Sequence, residues 1–216
     1  MSAFQEKVAE VVQRLSQSKI VPVLVLEDVT SGLKMCELLQ KNGLPVAEIT
    51  FRTKAAAQVI KEAAAAFPEL YLGAGTVLNT ADLHRAFDNG AKFAVAPGFN
   101  PTIVKEAMAC DFPFAPGICT PSEIEQAYEL GCTFLKYFPA EAAGGTAMLK
   151  AMSAPYKHLG LKFMPTGGVT AANVKDYLAL PVVAAVGGTW LGKAADIAAG
   201  NWDAIAAGIR AATALV

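Results

Sequence analysis

The sequence predicts an α/β fold, namely a single (β/α)8 TIM barrel with an extra N-terminal helix over residues 1–18. Eight short apolar runs alternate with alanine-rich helical stretches along the whole chain. Successive runs begin roughly 20 to 28 residues apart, which is the length of a compact strand–helix unit. The runs are apolar at nearly every position, as expected of parallel strands that are covered on both faces. Eight such units favour a closed parallel barrel, and a doubly wound open sheet is the structural alternative.

The predicted elements follow one another without a linker or a change in composition, so we expect one domain over 1–216. The strands are predicted at 20–26, 45–51, 70–72, 93–95, 112–115, 133–137, 161–164 and 182–186. The helices are predicted at 31–42, 55–67, 81–89, 101–110, 121–130, 146–152 and 171–179. Helix ends are expected at Gly43, Gly90, Gly131 and Gly200.

The first 18 residues predict an amphipathic helix rather than a secretory signal. Apolar residues recur there at helical spacing, and four charged residues interrupt them, so no continuous apolar segment forms. The apolar positions are Phe4, Val8, Val11, Val12 and Leu15.

Composition argues against some classes of binding partner. The formal net charge is −1, from 18 basic and 19 acidic residues, so no cationic surplus exists for a nucleic acid or an anionic membrane. No apolar run reaches the ~18 residues of a spanning helix. Four scattered cysteines without a CxxC pair, together with only two histidines, predict reduced thiols in a cytoplasmic protein and no metal site. A hydrophobic content of 54% predicts a large core and is compatible with a buried subunit interface.

Polar and glycine-rich segments follow the predicted strands, at the end where (β/α)8 barrels carry their active sites. Two of them, 166–170 after the seventh strand and 186–189 after the eighth, contain Gly-Gly pairs. Glycine lets backbone N–H groups approach an anion, and a helix N-terminus adds a favourable dipole. These loops therefore predict a phosphate site, although ordinary tight turns also use glycine pairs.

Three charged residues are the catalytic candidates. Lys136 lies inside an apolar strand, where burying an ammonium is costly, so the neutral amine that attacks ketones is favoured. A lysine whose amine reaches solvent at the strand end is the alternative. Glu48, in another apolar strand, suits general acid–base work, or serves only as an ion-pair partner of Arg52 or Lys136. Arg52 suits a substrate carboxylate, with a surface ion pair as its alternative.

Other polar residues are expected to be structural. His84 falls in a helical pattern and His158 in a loop, while Glu141 follows Pro139 and is expected to bind backbone.

Taken in order, these motifs resemble the bacterial 2-keto-3-deoxy-6-phosphogluconate (KDPG) aldolases, also called 4-hydroxy-2-oxoglutarate (KHG) aldolases. The resemblance covers essentially the whole chain. The matching segments are 21–23, 47–53, 73–77, 96–98, 116–118, 134–141, 165–168 and 187–190.

The resemblance implies a class I aldolase that needs no metal or other cofactor and assembles as a homotrimer. In it, Lys136 forms a Schiff base with pyruvate and Glu48 is the general acid/base. Arg52 and Thr76 hold the pyruvate carboxylate. The remaining implied roles are the pyruvate pocket for Pro97 and Phe138, aldehyde contact for Thr166, and phosphate binding for Gly167, Gly168, Gly188 and Thr189.

The sequence departs from the family at two of these motifs. Thr189 replaces a serine, which keeps the hydroxyl, and Tyr137 replaces a frequent phenylalanine, whose added hydroxyl needs a partner. The implied substrates are KDPG, giving pyruvate and D-glyceraldehyde 3-phosphate, and KHG, giving pyruvate and glyoxylate. A 2-keto-3-deoxy-6-phosphogalactonate aldolase, a phosphosugar isomerase or epimerase, and a non-catalytic phosphate-binding protein are the alternatives.

Overall fold

A computed structural model describes residues 2–216, in which strands and helices alternate. The strands are β1 (Ile20–Leu24), β2 (Val46–Thr50), β3 (Tyr71–Gly75), β4 (Phe93–Val95), β5 (Phe114–Ala115), β6 (Gly117–Ile118), β7 (Phe134–Tyr137), β8 (Lys162–Pro165) and β9 (Val186–Gly188). The helices are α1 (Ala3–Ser18), α2 (Val29–Lys41), α3 (Ala56–Ala66), α4 (Thr80–Asp88), α5 (Pro101–Ala109), α6 (Pro121–Glu129), α7 (Gly145–Ser153), α8 (Val174–Leu178), α9 (Ala194–Ala198) and α10 (Trp202–Thr213), with a 3₁₀ helix at Ala154–Leu159.

The strands form two parallel sheets, one of six strands in the order β5-β4-β3-β2-β1-β9 and one of three in the order β6-β7-β8. Parallel bridges join Phe163 to Val183 and Thr166 to Gly187, so β8 also contacts the segment that ends in β9. The strand order never reverses, which distinguishes this sheet from a doubly wound one. All carboxyl ends of the strands therefore face the same way.

The strands are buried on both faces, as their apolar sequences predict. Every residue of β1, β2 and β7 is buried, including Glu48 and Lys136. Ser2 caps α1 through the N–H of Gln5, and the buried residues of α1 all come from its predicted apolar face; Val12 of that face is half-buried. The alternation of the sequence thus supplies both layers of the fold.

The glycines expected at helix ends lie where they were placed. Gly43, Gly90, Gly131 and Gly200 each follow a helix by two residues and have φ values between +68° and +95°. Only glycine adopts this left-handed conformation without strain, so each of them lets the chain leave its helix and turn toward the next element.

The predicted fifth strand, 112–115, is shortened to β5, and a second short strand, β6, follows it after Pro116. Proline has no N–H to continue the ladder, and its carbonyl instead accepts a hydrogen bond from the N–H of Lys136 at 2.9 Å. The chain passes at this point from the six-stranded sheet to the three-stranded one.

Three other predictions differ from the structure near the C-terminus. The eighth strand is β9 rather than 182–186, because residues 181–182 form a turn. Helix α8 covers only five residues of the predicted 171–179, because 171–173 also form a turn. Helices α9 and α10 are absent from the predicted ranges, although the helix end predicted at Gly200 matches the end of α9, and α10 buries one face that consists of Ile205, Ala206, Ile209 and Ala212.

The four cysteines are scattered along the sequence. All four are free, and burial raises the pKa of Cys36 and Cys132 to about 12. Within residues 2–216, no helix combines the length and apolar content needed to cross a membrane.

Candidate active site

A cavity of about 280 Å³ at the carboxyl ends of the strands brings together every residue that sequence reasoning assigned to the site. Its lining adds only Val23 and Val169 to those predictions. The predicted residues that line it are Glu48, Arg52, Thr76, Pro97, Lys136, Phe138, Thr166, Gly167, Gly168, Gly188 and Thr189.

A larger cavity of about 730 Å³ lies elsewhere, between α1 and segments that precede several strands. Three of its lining residues are acidic and three are basic, and none of the predicted site residues lines it. The smaller cavity is therefore the candidate active site, because it places buried charges beside the glycine loops.

The centre of the cavity is the contact between Lys136 on β7 and Glu48 on β2. The Lys136 Nζ lies 2.9 Å from Glu48 Oε1 and 3.3 Å from Oε2. The Lys136 side chain is 5% exposed and the Glu48 side chain is 0% exposed. Because both charges are buried, each is stabilised mainly by the other. A proton passed from Lys136 to Glu48 converts this pair into a neutral nucleophilic amine beside a carboxylic acid.

The carboxylate of Glu48 occupies space that a neighbouring glycine leaves free. A Cβ added to Gly75 on β3 would stand 2.1 Å from Glu48 Oε1, closer than any real contact. A Cβ at Gly117 would likewise stand 2.2 Å from the carbonyl of Pro97. The sequence alone predicts no role for either glycine. The role of a glycine in a strand depends on which side chain or backbone faces it, and the sequence does not identify that neighbour.

Replacing Gly75 by alanine is expected to displace the Glu48 carboxylate and to lower turnover by at least about tenfold, a part of the 10²- to 10⁴-fold that a general acid or base supplies. Steady-state kinetics on a keto-acid substrate would measure this. Gly208→Ala in α10 is the control, because a Cβ there meets nothing within 4 Å. Normal turnover in Gly75→Ala would show that the carboxylate has room to move without consequence.

Arg52 offers a free cation at the cavity edge. Within residues 2–216, its guanidinium makes no hydrogen bond and no ion pair, so the alternative of a surface ion pair is not seen. The preceding Phe51 ring packs against Arg85, whose Cζ lies 5.4 Å from the ring centroid. An unpaired guanidinium is suited to a bidentate contact with a carboxylate.

Thr76, which also lines the cavity, has a φ of +57°, a strained conformation for a β-branched residue. The next residue, Val77, is held in place by a hydrogen bond from its N–H to the carbonyl of Val95 at 3.2 Å. Strain of this kind persists only where surrounding contacts enforce it, and it concentrates at functional sites.

The two glycine loops lie side by side in the lining of the cavity. Gly167 and Gly168 have φ values of +98° and +82°, which disfavour any other residue. A Cβ at Gly187 would stand 2.3 Å from Thr166 Oγ1, so that glycine lets the two loops approach. Helix α8 has only five residues and begins at Val174, beyond the loop. The predicted helix dipole therefore adds little here, and the backbone N–H groups of the loop are the donors that an anion could use.

The two histidines lie outside the cavity, as expected of structural residues. His84 Nε2 is 2.9 Å from Glu106 Oε1 on the next helix, and Cys110 Sγ is 3.9 Å from the same oxygen. His158 lies in the 3₁₀ helix. Neither ring reaches the residues of the candidate site.

Glu141 and Tyr137 also have structural partners. The backbone N–H of Glu141 donates to the carbonyl of Gly167, and its side chain accepts a hydrogen bond from the hydroxyl of Tyr177 rather than binding backbone as expected. The hydroxyl of Tyr137 donates to the carbonyl of Ala143 at 3.2 Å, which provides the partner that it needs.

Comparison with known proteins finds relatives that match most of the chain. The family model of KDPG and KHG aldolases matches residues 11–208. A 2-dehydro-3-deoxy-phosphogluconate aldolase of Haemophilus influenzae is 44% identical, over 93% of this chain and 94% of its own.

Two solved structures are also similar. The KDPG aldolase of Legionella pneumophila, with pyruvate captured as a covalent carbinolamine, has a TM-score of 0.89 and 34% identity, covering 93% of this chain and 97% of its own. The KDPG aldolase of Zymomonas mobilis with 3-phosphoglycerate has a TM-score of 0.86 and 35% identity, covering 96% of this chain and 95% of its own. The chain belongs to the KDPG and KHG aldolase family.

Proposed function

We propose that this aldolase cleaves 2-keto-3-deoxy-6-phosphogluconate to pyruvate and D-glyceraldehyde 3-phosphate, and 4-hydroxy-2-oxoglutarate to pyruvate and glyoxylate. The observation that carries the proposal is the buried contact of Lys136 with Glu48, 2.9 Å apart in a cavity whose walls carry a free arginine and two glycine loops. An amine, a proton acceptor and two anion sites are what this reaction requires.

In the proposed cycle, the neutral amine of Lys136 attacks the substrate ketone to give a carbinolamine. The protonated Glu48 then donates its proton to the carbinolamine hydroxyl, which leaves as water to give an iminium ion and a Glu48 carboxylate. Glu48, through a water molecule, takes the proton from the 4-hydroxyl group. The C3–C4 bond then breaks, its electron pair enters the iminium to form an enamine, and the aldehyde leaves. Glu48 returns a proton to C3 of the enamine, and hydrolysis releases pyruvate and the free lysine.

The binding residues form separate subsites for the carboxylate, the methyl end, the aldehyde and the phosphate. Arg52 and Thr76 hold the pyruvate carboxylate, and Pro97 and Phe138 enclose its methyl end. Thr166 contacts the aldehyde. The phosphate is bound by Gly167, Gly168, Gly188 and Thr189. The two solved relatives support this division, since one holds covalently bound pyruvate and the other a three-carbon phosphate ester.

Binding of the remote phosphate positions the reacting bond, so that binding energy lowers the barrier. The reaction as proposed needs no metal or other cofactor, because the iminium is itself the electron sink.

We further propose that the two sheets close into one (β/α)8 barrel domain that spans the chain together with α1. The bridges between Phe163 and Val183 and between Thr166 and Gly187 support closure on one side. The continuity of β5 and β6 around Pro116 supports it on the other. A cytoplasmic homotrimer is part of the proposal, on the strength of the resemblance and the four free thiols.

Steady-state assays of pyruvate release from the two keto acids test the function. Cleavage of KDPG with stoichiometric D-glyceraldehyde 3-phosphate is the expected result. Preference for 2-keto-3-deoxy-6-phosphogalactonate would change the substrate but keep the mechanism. Absence of pyruvate release from every one of these substrates would overturn the proposal.

A further inference from the structure

The loop at 166–169 has a feature that no sequence motif shows, which is that the carbonyl groups of three consecutive residues are engaged. The carbonyl of Thr166 accepts a hydrogen bond from the N–H of Ala140 at 2.8 Å. The carbonyl of Gly167 accepts one from the N–H of Glu141 at 3.0 Å. The carbonyl of Gly168 accepts one from the side-chain amide of Asn173, whose Nδ2 lies 3.2 Å away.

These contacts determine where the N–H groups of the loop point. In a trans peptide the N–H is directed opposite to the carbonyl of the same peptide unit. Anchoring the carbonyls of Gly167 and Gly168 on the outside therefore turns the N–H groups of Gly168 and Val169 the other way. Both of those residues line the cavity, and within residues 2–216 their N–H groups meet no acceptor.

The three anchors are not equivalent. Two are backbone N–H groups of the segment after β7, which no substitution short of proline removes. The third is the side chain of the half-buried Asn173, which also accepts a hydrogen bond on Oδ1 from the N–H of Thr170 at 2.8 Å. Asn173 thus hydrogen-bonds on both sides of Val169, to the carbonyl of Gly168 before it and to the N–H of Thr170 after it.

We infer that Asn173 is a positioning residue for the phosphate of the substrate: it acts through the Gly168 carbonyl to hold the anion-binding N–H groups toward the cavity. The inference rests on the proposed function, because it assumes that the phosphate occupies this loop. It predicts a selective defect, because 4-hydroxy-2-oxoglutarate has no phosphate for the loop to bind.

The test compares Asn173→Ala on two substrates. The KM for KDPG should rise by about tenfold or more, because the loop N–H groups that Asn173 positions would lose about one hydrogen bond to the charged phosphate. The KM and kcat for KHG should stay within about twofold, a range expected when no contact to that substrate changes. Inhibition of KHG cleavage by inorganic phosphate should weaken in parallel with the KM for KDPG.

Asn173→Asp is the second variant. It keeps the acceptor for the Thr170 N–H but replaces the donor to Gly168 with an oxygen that repels the carbonyl, so its KM for KDPG should rise at least as much as that of Asn173→Ala. Asn79→Ala is the matched control. Asn79 caps α4 after another loop of the same cavity edge, through the N–H of Asp82 at 2.8 Å, and makes no contact with a glycine loop.

The outcomes separate the two proposals. An unchanged KM for KDPG in both Asn173 variants would overturn the positioning role. So would an equal loss on both substrates, since that result marks a merely structural residue. A wild-type protein that cleaves neither keto acid would instead reject the proposed function.

Discussion

Replacing Lys136 by methionine is expected to abolish the covalent trapping of pyruvate by borohydride and to lower turnover by at least about 1,000-fold, the scale seen when a nucleophile is removed. In the wild type, borohydride should reduce the iminium to a stable secondary amine on Lys136. Mass spectrometry of the peptide that carries this residue measures the adduct directly.

The control for this experiment is Lys162→Met. Lys162 lies on the adjacent strand β8, and its Nζ donates to the carbonyl of Pro181 outside the cavity, at 2.9 Å. This variant should trap pyruvate as the wild type does. An adduct on any lysine other than Lys136 in an active enzyme would reject the assigned nucleophile, and active enzyme that borohydride leaves unmodified would favour an isomerase or epimerase.

The Lys136→Met variant should also change stability, because it leaves Glu48 without its partner at 0% exposure. Removing one member of a buried ion pair costs about 3–5 kcal/mol of unfolding free energy when the other stays charged. Adding Glu48→Gln to Lys136→Met should restore part of this loss. Chemical denaturation of the two variants separates a catalytic defect from an unfolded protein.

Glu48→Gln by itself should lower kcat by about 10²- to 10⁴-fold, the usual contribution of a general acid or base. The amide cannot accept the proton of the 4-hydroxyl group or return one to the enamine. The variant should still form some pyruvate Schiff base, because Lys136 remains.

Exchange of the pyruvate methyl protons with deuterium, followed by NMR, isolates the step assigned to Glu48. Exchange should be fast in the wild type and in Glu106→Gln, whose carboxylate lies outside the cavity beside His84. It should be slow in Glu48→Gln. Wild-type exchange and turnover in Glu48→Gln would remove this residue from the mechanism.

The site was predictable in outline because parallel strands end at one edge. Lys136 and Glu48 stood out as charges inside apolar strands, and the glycine pairs stood out as turns after the last two strands. The sequence did not give the distances between these side chains and loops, however. Glu48 and Lys136 are 88 residues apart, and only the pairing of β2 and β7 with their neighbours brings their side chains to 2.9 Å.

Elements were less predictable where local sequence carries little contrast. Helix α9 is an alanine-rich segment of only five residues, and the turn at 181–182 occupies the start of the predicted eighth strand. Pro116 was visible in the sequence, but its effect was not. Whether a proline bends, ends or splits a strand depends on which neighbour needs its missing N–H.

Residue order was sufficient to establish the alternation of strands and helices, the edge that carries the chemistry, and the charged and glycine residues there. These follow from local periodicity and from the cost of placing a charge in an apolar strand. The folded chain was needed to see that Gly75 makes room for Glu48, and that Asn173 turns the N–H groups of the 166–169 loop inward. Those roles depend on contacts between atoms from separate elements, which no local pattern specifies.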